Sequence, residues 1–226
     1  MLRRLGIDLD GIGGIGVSTL IKDGQLVLFQ GDSITDAGRN REDPLNLGHG
    51  YPMMVDAWFQ AKYPAKKVRF VNRGISGNRV KDLRARWDKD CIDLKPDWVS
   101  ILIGINDTWR RYDSNDPTSV DSFEADYRHI LERVKNELDA GLIICEPFVL
   151  PFPEDRNAWR EDLDPKIAVV RKLAREFEAI FIPLDGILAA ASAVREPAFW
   201  AADGVHPTPQ GHALIAQAWL KAVGAI

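Results

Sequence analysis

The sequence predicts an α/β fold, a three-layer α/β/α sandwich built on a central five-stranded parallel sheet. The first observation is a set of short apolar runs that are continuous, a pattern typical of parallel strands that helices cover on both faces. The second is that amphipathic stretches with helical spacing separate these runs. Repeated alternation of strand and helix produces a parallel sheet with helices on both sides, so the predicted arrangement is flavodoxin-like.

The apolar runs are the predicted strands of this sheet. Each is rich in Val, Ile, Leu or Phe, and none approaches the ~20 apolar residues that a membrane-spanning helix needs. The runs are Leu26–Gln30, Val68–Asn72, Trp98–Ile103, Leu142–Glu146 and Ile180–Pro183.

Helices are predicted between the strands, most clearly over Ser119–Ala140. Apolar residues recur there at helical spacing, namely Val120, Phe123, Tyr127, Ile130, Val134 and Leu138. The other predicted helices are Tyr51–Tyr63, Val80–Cys91, Pro165–Ala179 and Pro209–Val223.

Composition and charge narrow the classes of function. The chain has 226 residues, of which 46% are hydrophobic and 27% are charged, and its net charge is −4. This balance is ordinary for a globular protein, and no basic stretch exceeds a pair of residues, so we expect neither a nucleic-acid partner nor a membrane partner. We expect one domain over residues 24–226, with residues 1–23 as an N-terminal extension packed on or flanking it.

The cysteines and the first glycine-rich stretch carry no cofactor signal. Cys91 and Cys145 lie far apart and read as core residues, which favours a reducing compartment and a cytoplasmic location. No His, Cys or carboxylate cluster has ligand spacing, so we expect no metal and no cofactor. "GIGGIG" at residues 11–16 matches a dinucleotide-binding motif, but only nine residues separate it from the next strand, too few for a crossover helix.

Polar residues and glycines follow the first three predicted strands at their carboxyl ends, where ligands bind in sheets of this kind. A further polar pair lies on the last connection, after the fifth strand and a further helix. Their loops are expected at one edge of the sheet, so their side chains can form a single site. These residues are Ser33 in "GDS", Gly74 and Gly77 in "NRGISGN", Asn106 and Asp107 in "GINDTW", and Asp203 and His206 in "ADGVHP".

The residue types at this edge point to nucleophilic catalysis. The hydroxyl of Ser33 is a weak nucleophile unless a base takes its proton, and His206 is the usual kind of base. A carboxylate must fix the tautomer of that histidine, and Asp203 lies three residues before it. The developing oxyanion needs donors, for which the backbone amides of Ser33 and Gly74 and the side-chain amide of Asn106 are candidates.

Simpler interpretations exist for the same residues. Taken alone, Ser33 can be a turn residue or a helix N-cap. We expect Gly77 and Asp107 to be structural and Asp32 to cap the turn after the first strand.

The other three histidines are not expected to serve as the base. We predict that His129 is solvated and that His212 makes a local hydrogen bond in the first turn of the last helix. We expect His49 to belong to a structural loop, with a role in a pocket as the alternative. Only His206 has an acid at a useful spacing.

"GDSIT", "NRGISG", "GIND" and "DGVH" resemble, in order, the four blocks of the SGNH hydrolases, also called the GDSL esterase family. The resemblance implies a serine esterase with Ser33, Asp203 and His206 as its triad, and with Ser33, Gly74 and Asn106 as its oxyanion hole. The amino-acid sequence around the blocks is similar to that of the intracellular acetylxylan esterases of this family. Those proteins remove acetyl groups from xylo-oligosaccharides and assemble as octamers, which implies an acetylated carbohydrate substrate and a homo-oligomer.

Aromatic residues beside the predicted site suit a sugar ring. Trp109, Tyr112 and Trp200, together with Asp32, are the candidate substrate-binding residues, although each aromatic side chain can equally belong to the core or to a subunit interface.

Two rival functions stay open. The first is a lipase, thioesterase or general short-chain carboxylesterase on the same scaffold, because fold does not determine substrate. The second is a flavodoxin-like binding module without catalysis.

Ser33 is followed by Ile34 and Thr35, so the G-x-S-x-G elbow of α/β-hydrolases is absent.

Overall fold

A parallel five-stranded sheet lies at the centre of the structure, a computed structural model that describes residues 19–226. The strand order is β2-β1-β3-β4-β5, and every neighbouring pair is parallel. This order is flavodoxin-like and confirms the predicted sheet. The strands are β1 (Leu26–Gly31), β2 (Arg69–Asn72), β3 (Trp98–Leu102), β4 (Gly141–Cys145) and β5 (Ile180–Ile182).

Helices cover both faces of the sheet, as predicted. In the described part of the chain, α2, α8 and α10 pack on one face, and α3, α4, α6 and α7 pack on the other. The helices are α1 (Ser33–Asp36), α2 (Tyr51–Lys62), α3 (Val80–Ala85), α4 (Trp87–Asp90), α5 (Ile105–Asp113), α6 (Val120–Glu137), α7 (Arg160–Glu176), α8 (Leu184–Val194), α9 (Pro197–Trp200) and α10 (Pro209–Ala222).

Alternate residues of strand β1 pack into two separate apolar cores. Val27 and Phe29 pack in the core under α2 and α10, whereas Leu28 packs in the core under α3 and α6. Trp219 of α10 meets Phe29 with ring centroids 5.6 Å apart and donates its indole N–H to Ser100 of β3 at 3.0 Å. Burial of one such side chain contributes about 1.5–3 kcal/mol, so the strand is held from both sides.

The predicted helix over Val80–Cys91 is wrong in one respect, because it is broken at Arg86 into α3 and α4. The side chain of Arg86 turns towards the sheet edge and donates to Gln30 and Asp90, each at 3.0 Å. Apolar spacing cannot reveal such polar contacts.

The helix predicted over Pro165–Ala179 begins five residues earlier, at Arg160, and ends at Glu176. Pro165 lies in its second turn, where its missing N–H removes only one backbone hydrogen bond. Arg160 also pairs with Asp185 of α8 at 2.7 Å, which ties the first turn to a neighbouring helix. The other predicted helices and strands agree with the structure to within three residues.

The described part of the predicted N-terminal extension packs against the end of α10. Thr19 donates its hydroxyl, and Leu20 its N–H, to the carbonyl of Val223, both at 3.0 Å. The "GIGGIG" stretch lies outside the described residues.

The two cysteines are buried and free, as predicted for core residues. Burial raises the pKa of both Cys91 and Cys145 to about 12, so neither thiol is a ready nucleophile. Across residues 19–226, no helix combines the length and the apolar character that crossing a bilayer requires.

Candidate active site

Ser33 is the first residue of α1 and follows directly on the carboxyl end of β1. Asp32 caps this short helix, because its carboxylate accepts the N–H of Ile34 at 3.0 Å. The strand end thus changes from apolar to polar within two residues because the chain turns there into a capped helix. This geometry confirms that Asp32 caps the turn and leaves the hydroxyl of Ser33 half-exposed at the sheet edge.

His206 lies on the loop before α10 and meets Ser33. The hydroxyl oxygen of Ser33 is 2.9 Å from Nε2 of His206, and Nδ1 of His206 is 2.7 Å from a carboxylate oxygen of Asp203. If Nδ1–H donates to Asp203, Nε2 is free to accept the proton of Ser33. The structure therefore brings together the three side chains that the sequence singled out, in the order needed for proton transfer.

The carboxylate of Asp203 is held by its own loop. Its other oxygen accepts the backbone N–H groups of Val205 at 3.0 Å and His206 at 2.7 Å. Burial alone would raise the pKa of Asp203, but the hydrogen bonds from His206 and Val205 outweigh it and hold that pKa below the usual range. Asp203 is therefore an anion at neutral pH, as the partner of a catalytic imidazole must be.

Among the described residues, two carboxylates influence the pKa of His206. The hydrogen bond to Asp203 raises the pKa of His206, burial opposes that rise, and the charges of Asp203 and Asp32 add to it. A raised pKa lets the imidazole hold a proton during catalysis more readily than a free histidine does.

Asp32 is 1% exposed, and its second carboxylate oxygen has no hydrogen-bond partner among the described residues. Burial raises the pKa of Asp32 to about 7, and the N–H of Ile34 offsets part of that rise. This burial argues against the predicted contact between Asp32 and substrate. Its influence on His206 is one that sequence reasoning missed, because only the fold shows which groups face the imidazole.

Asn106 lies at the start of α5, beside the segment that carries Gly77. Its side-chain amide donates one hydrogen to the carbonyl of Asn78 at 3.0 Å, and its oxygen faces Arg110 at 3.4 Å. An amide nitrogen carries two hydrogens, so one remains for an oxyanion.

Gly74 does not fit its predicted role as an oxyanion donor. Its N–H already donates to the side chain of Asn72 at 2.8 Å, and its backbone is packed against Thr35 and Asp36. Asn72 is buried as well, so this N–H is committed to the fold.

Gly77 is the better candidate for that role and was missed by the sequence reasoning. Within residues 19–226 its N–H meets no acceptor, and the residue is exposed with a φ of 83°. Asn78, the next residue, receives the side-chain hydrogen bond of Asn106. The backbone N–H of Gly77 and the side-chain amide of Asn106 therefore lie next to each other.

Trp109 is the predicted aromatic residue that the structure places at His206. The ring centroids of Trp109 and His206 are 5.6 Å apart. Tyr112, one turn further along α5, stacks on Trp159 at 5.3 Å and donates its hydroxyl to the carbonyl of Ala158. Tyr112 thus braces the β4–α7 connection, whereas Trp109 lines the site.

The contacts of Trp200 do not support its predicted role in substrate binding. Its indole N–H donates to the carbonyl of Ala191 at 3.1 Å, near the end of α8, and its ring packs edge-on against Phe199. The backbone carbonyl of Trp200 accepts the N–H of Thr208, the N-cap of α10, at 2.9 Å.

The remaining polar candidates have structural roles. Asp107 is buried and accepts the N–H of Val80, as predicted for a structural acceptor. His212 also accepts a hydrogen bond, but from the N–H of Tyr51 at 3.2 Å, so the predicted local partner is wrong. His129 is half-buried rather than fully solvated, and His49 lies in a loop, as expected. In residues 19–226, no three His, Cys, Asp or Glu side chains are arranged to hold a metal ion.

Replacement of Asn106 by alanine is expected to lower kcat by on the order of 10²- to 10³-fold with little change in KM. The amide hydrogen left free by Asn78 would bind a developing oxyanion more strongly than a neutral carbonyl. Steady-state kinetics on an aryl acetate measures both constants. A variant altered mainly in KM would show that Asn106 binds the ground state instead.

Comparison with known proteins agrees with this arrangement. The profile of the GDSL-like lipase/acylhydrolase family matches residues 29–214. The acetylxylan esterase of Geobacillus stearothermophilus is 40% identical over 212 residues, which cover 90% of this chain and 96% of that protein. Its crystal structure superimposes with a TM-score of 0.82 at 39% identity.

Two more distant or differently named proteins are also similar. A protein of Parabacteroides merdae described as a GDSL-like lipase has a TM-score of 0.87 at 35% identity, over 92% of this chain and all of that one. Thioesterase 1/protease 1/lysophospholipase L1 of Escherichia coli is 26% identical over 77% of each chain. This chain belongs to the GDSL-like lipase/acylhydrolase family.

Proposed function

We propose that this protein is a serine esterase that removes acetyl groups from acetylated xylo-oligosaccharides through a covalent acetyl-enzyme. The observation that carries the proposal is the continuous relay from Ser33 through His206 to Asp203, with contacts of 2.9 Å and 2.7 Å. In the acetylxylan esterase of Geobacillus stearothermophilus, crystal structures exist of catalytic mutants that replace a serine, an aspartate and a histidine. There the aspartate and histidine lie three positions apart, the spacing of Asp203 and His206 here.

Acylation begins when the hydroxyl oxygen of Ser33 attacks the carbonyl carbon of the acetyl group. Nε2 of His206 takes the hydroxyl proton, and Asp203 stabilises the imidazolium through Nδ1–H. When the tetrahedral intermediate collapses, the bond to the sugar oxygen breaks, and His206 returns the proton to that oxygen. The acetyl group is left on Ser33.

Deacylation repeats the sequence with water. Nε2 of His206 takes a proton from water as its oxygen attacks the acetyl carbon, and the bond to Ser33 breaks in the second collapse. The proton then passes from His206 to the serine oxygen, and acetate leaves.

The negative oxygen of each tetrahedral intermediate needs donors that are already in place. We assign this role to the backbone N–H of Ser33, the backbone N–H of Gly77 and the free side-chain hydrogen of Asn106. None of the three is used by another acceptor among the described residues.

The acetylated sugar is the substrate that the surroundings of the triad support. The site is open, since the side chain of His206 is 45% exposed, and Trp109 presents an aromatic ring beside it. A pyranose carries C–H groups on its faces and hydroxyls at its edge, which suits an aromatic ring with polar neighbours. The relatives named as acetylxylan or acetyl-xylooligosaccharide esterases add support, because they match about 90% of the chain.

The acyl-chain preference tests this substrate class. Rates on p-nitrophenyl esters should fall steeply from acetyl to octanoyl, and peracetylated xylose should be deacetylated. Each extra methylene is worth ~1–3 kcal/mol in a fitted pocket, so several should exclude a chain almost completely. The Ser33→Ala variant provides the background rate for every ester.

The rival substrate class is a lipid or thioester. Its support is the similarity to the thioesterase and lysophospholipase of Escherichia coli. A preference for octanoate over acetate would contradict the carbohydrate proposal and favour this rival.

Assembly and location are also proposals. We infer a homo-oligomer, which the exposed side chains of Leu45, Trp58 and Val194 support because apolar groups of this size gain by burial. We also infer a reducing, intracellular location, which the free buried thiols of Cys91 and Cys145 support.

A further inference from the structure

The β4–α7 connection packs directly against the histidine loop. The N–H of Leu150 donates to the carbonyl of Gly204 at 2.8 Å. A Cβ at Gly204 would lie 2.0 Å from the carbonyl oxygen of Phe152, so only glycine fits this approach. The two segments that meet here are the loop carrying Asp203 and His206 and the loop leading into Trp159.

Arg156 joins these two segments through its side chain. Its Nε donates to the backbone carbonyl of Asp203 at 3.2 Å. Its guanidinium lies 4.1 Å from the ring centroid of Trp159 and 5.3 Å from that of Trp109, the ring that contacts His206. Only 13% of the side chain is exposed, so the charge is held against the site with little solvent around it.

The ion pair of Arg156 compensates its charge incompletely. Its partner Asp155 is adjacent in sequence, lies 2.6 Å away and is 64% exposed. Solvent screens an exposed carboxylate more strongly than the buried guanidinium, so the pair leaves net positive potential on the inner side.

We propose that Arg156 is a positioning residue of the active site, which holds the Asp203–His206 loop and whose positive charge opposes the two carboxylates that act on His206. The proposal rests on the function proposed above, because its kinetic readout needs His206 to be the base. It names a role for a residue outside the triad and the oxyanion hole.

The charged and titratable groups around His206 determine the electrostatic effect that the charge of Arg156 opposes. Asp203 comes from the same loop, Asp32 from the β1–α1 junction and His212 from α10. Burial lowers the pKa of His212 to about 4, so this neighbour is neutral in the working range.

Helix α5 adds Trp109, which is uncharged, and Arg110, which is paired with Asp113. Among the residues that the structure describes, Arg156 is the cation that lowers the pKa of His206, against the larger effects of Asp203 and Asp32.

The sign of the effect follows from this balance. The free enzyme needs neutral His206 to accept the proton of Ser33, so kcat/KM falls as pH drops through the pKa of His206. Removing the positive charge of Arg156 leaves the charge of Asp203, and the ionised fraction of Asp32, unopposed and raises that pKa. The acid limb of the pH profile should then move to higher pH.

The test uses two substitutions with opposite signs. Arg156→Gln should move the acid limb of kcat/KM for p-nitrophenyl acetate upward by on the order of half a pH unit, and Arg156→Lys should move it less. Asp155→Asn removes the exposed counter-charge and should move the limb downward by roughly a few tenths of a unit. Arg195→Gln, which removes an arginine stacked on Phe199 at 3.6 Å, is the matched control and should leave the limb unmoved.

A second measurement separates this proposal from the proposed function. Proton NMR titration of His206 in the Ser33→Ala background reports its pKa without turnover. The shifts should appear there in the same directions even if the substrate class is wrong, and this readout also serves if Arg156→Gln loses activity through loosening of the loop. An unchanged His206 pKa in both Arg156→Gln and Asp155→Asn, shifts of the same sign in both, or an equal shift in Arg195→Gln would overturn the proposal.

Discussion

Replacement of Ser33 by alanine, or of His206 by alanine, is expected to lower kcat by roughly 10⁴- to 10⁶-fold. Either change interrupts the relay between the serine oxygen and Nε2 of His206, which are 2.9 Å apart. Without the oxygen there is no acyl-enzyme, and without the imidazole the hydroxyl keeps its proton. Steady-state kinetics on an aryl acetate, with active-site concentration determined by titration of the wild type, measures the loss.

The double variant distinguishes a shared relay from two separate contributions. Because Ser33 and His206 act in one proton transfer, the double replacement should be scarcely worse than either single one. Fully additive losses would show that they act independently. His129→Ala, on helix α6, is the matched control for removal of an imidazole and should retain wild-type kcat.

Asp203→Asn is expected to retain the fold and lower kcat by roughly 10⁴-fold. One oxygen of Asp203 accepts the N–H groups of Val205 and His206, and an asparagine can keep those bonds with its carbonyl oxygen. Its NH₂ group then faces Nδ1 of His206, which must accept rather than donate. The proton is forced onto Nε2, the nitrogen that has to receive the proton of Ser33.

Thermal unfolding and kcat together check this prediction. A Tm close to that of the wild type with a large loss of kcat is the expected pair of results. Activity near the wild-type level would mean that another carboxylate orients the imidazole. Asp32 would be the first to test because, within residues 19–226, it is the other acid whose charge raises the pKa of His206.

Most of the fold was predictable because its signals are local. A buried parallel strand is a continuous apolar run, and the five runs from Leu26 to Pro183 stand out from their polar surroundings. The position of Ser33 was predictable for a related reason. The carboxyl ends of parallel strands share one edge, and Ser33 follows β1 at that edge. The Asp203–His206 loop follows α9 rather than a strand, so the strand-end rule alone did not require its contact with Ser33.

The errors arose where a partner distant in sequence decides the outcome. His212 accepts from Tyr51, and the break at Arg86 accompanies a contact with Gln30, neither of which has a local signature. Arg156 is likewise invisible as a site residue until the β4–α7 connection is seen against the histidine loop.

The choice of Gly74 instead of Gly77 as an oxyanion donor is a different case, because a local signal was available in the sequence. An asparagine side chain often accepts the N–H two residues on, and Asn72 stands two residues before Gly74. That pattern predicts that the N–H of Gly74 is occupied and directs attention to Gly77, whose N–H has no acceptor in the described part of the chain.

Labelling with a serine-directed organophosphonate, followed by peptide mapping, tests the central claim most directly. The reagent forms a stable bond only to a serine oxygen whose proton a neighbouring base removes, so it reports the relay and not merely the presence of a hydroxyl. The account predicts one adduct on Ser33, loss of esterase activity in proportion to labelling, and no adduct in Ser33→Ala or His206→Ala. Esterase activity that persists in fully labelled protein, or an adduct on any other serine that accounts for the inactivation, would contradict it.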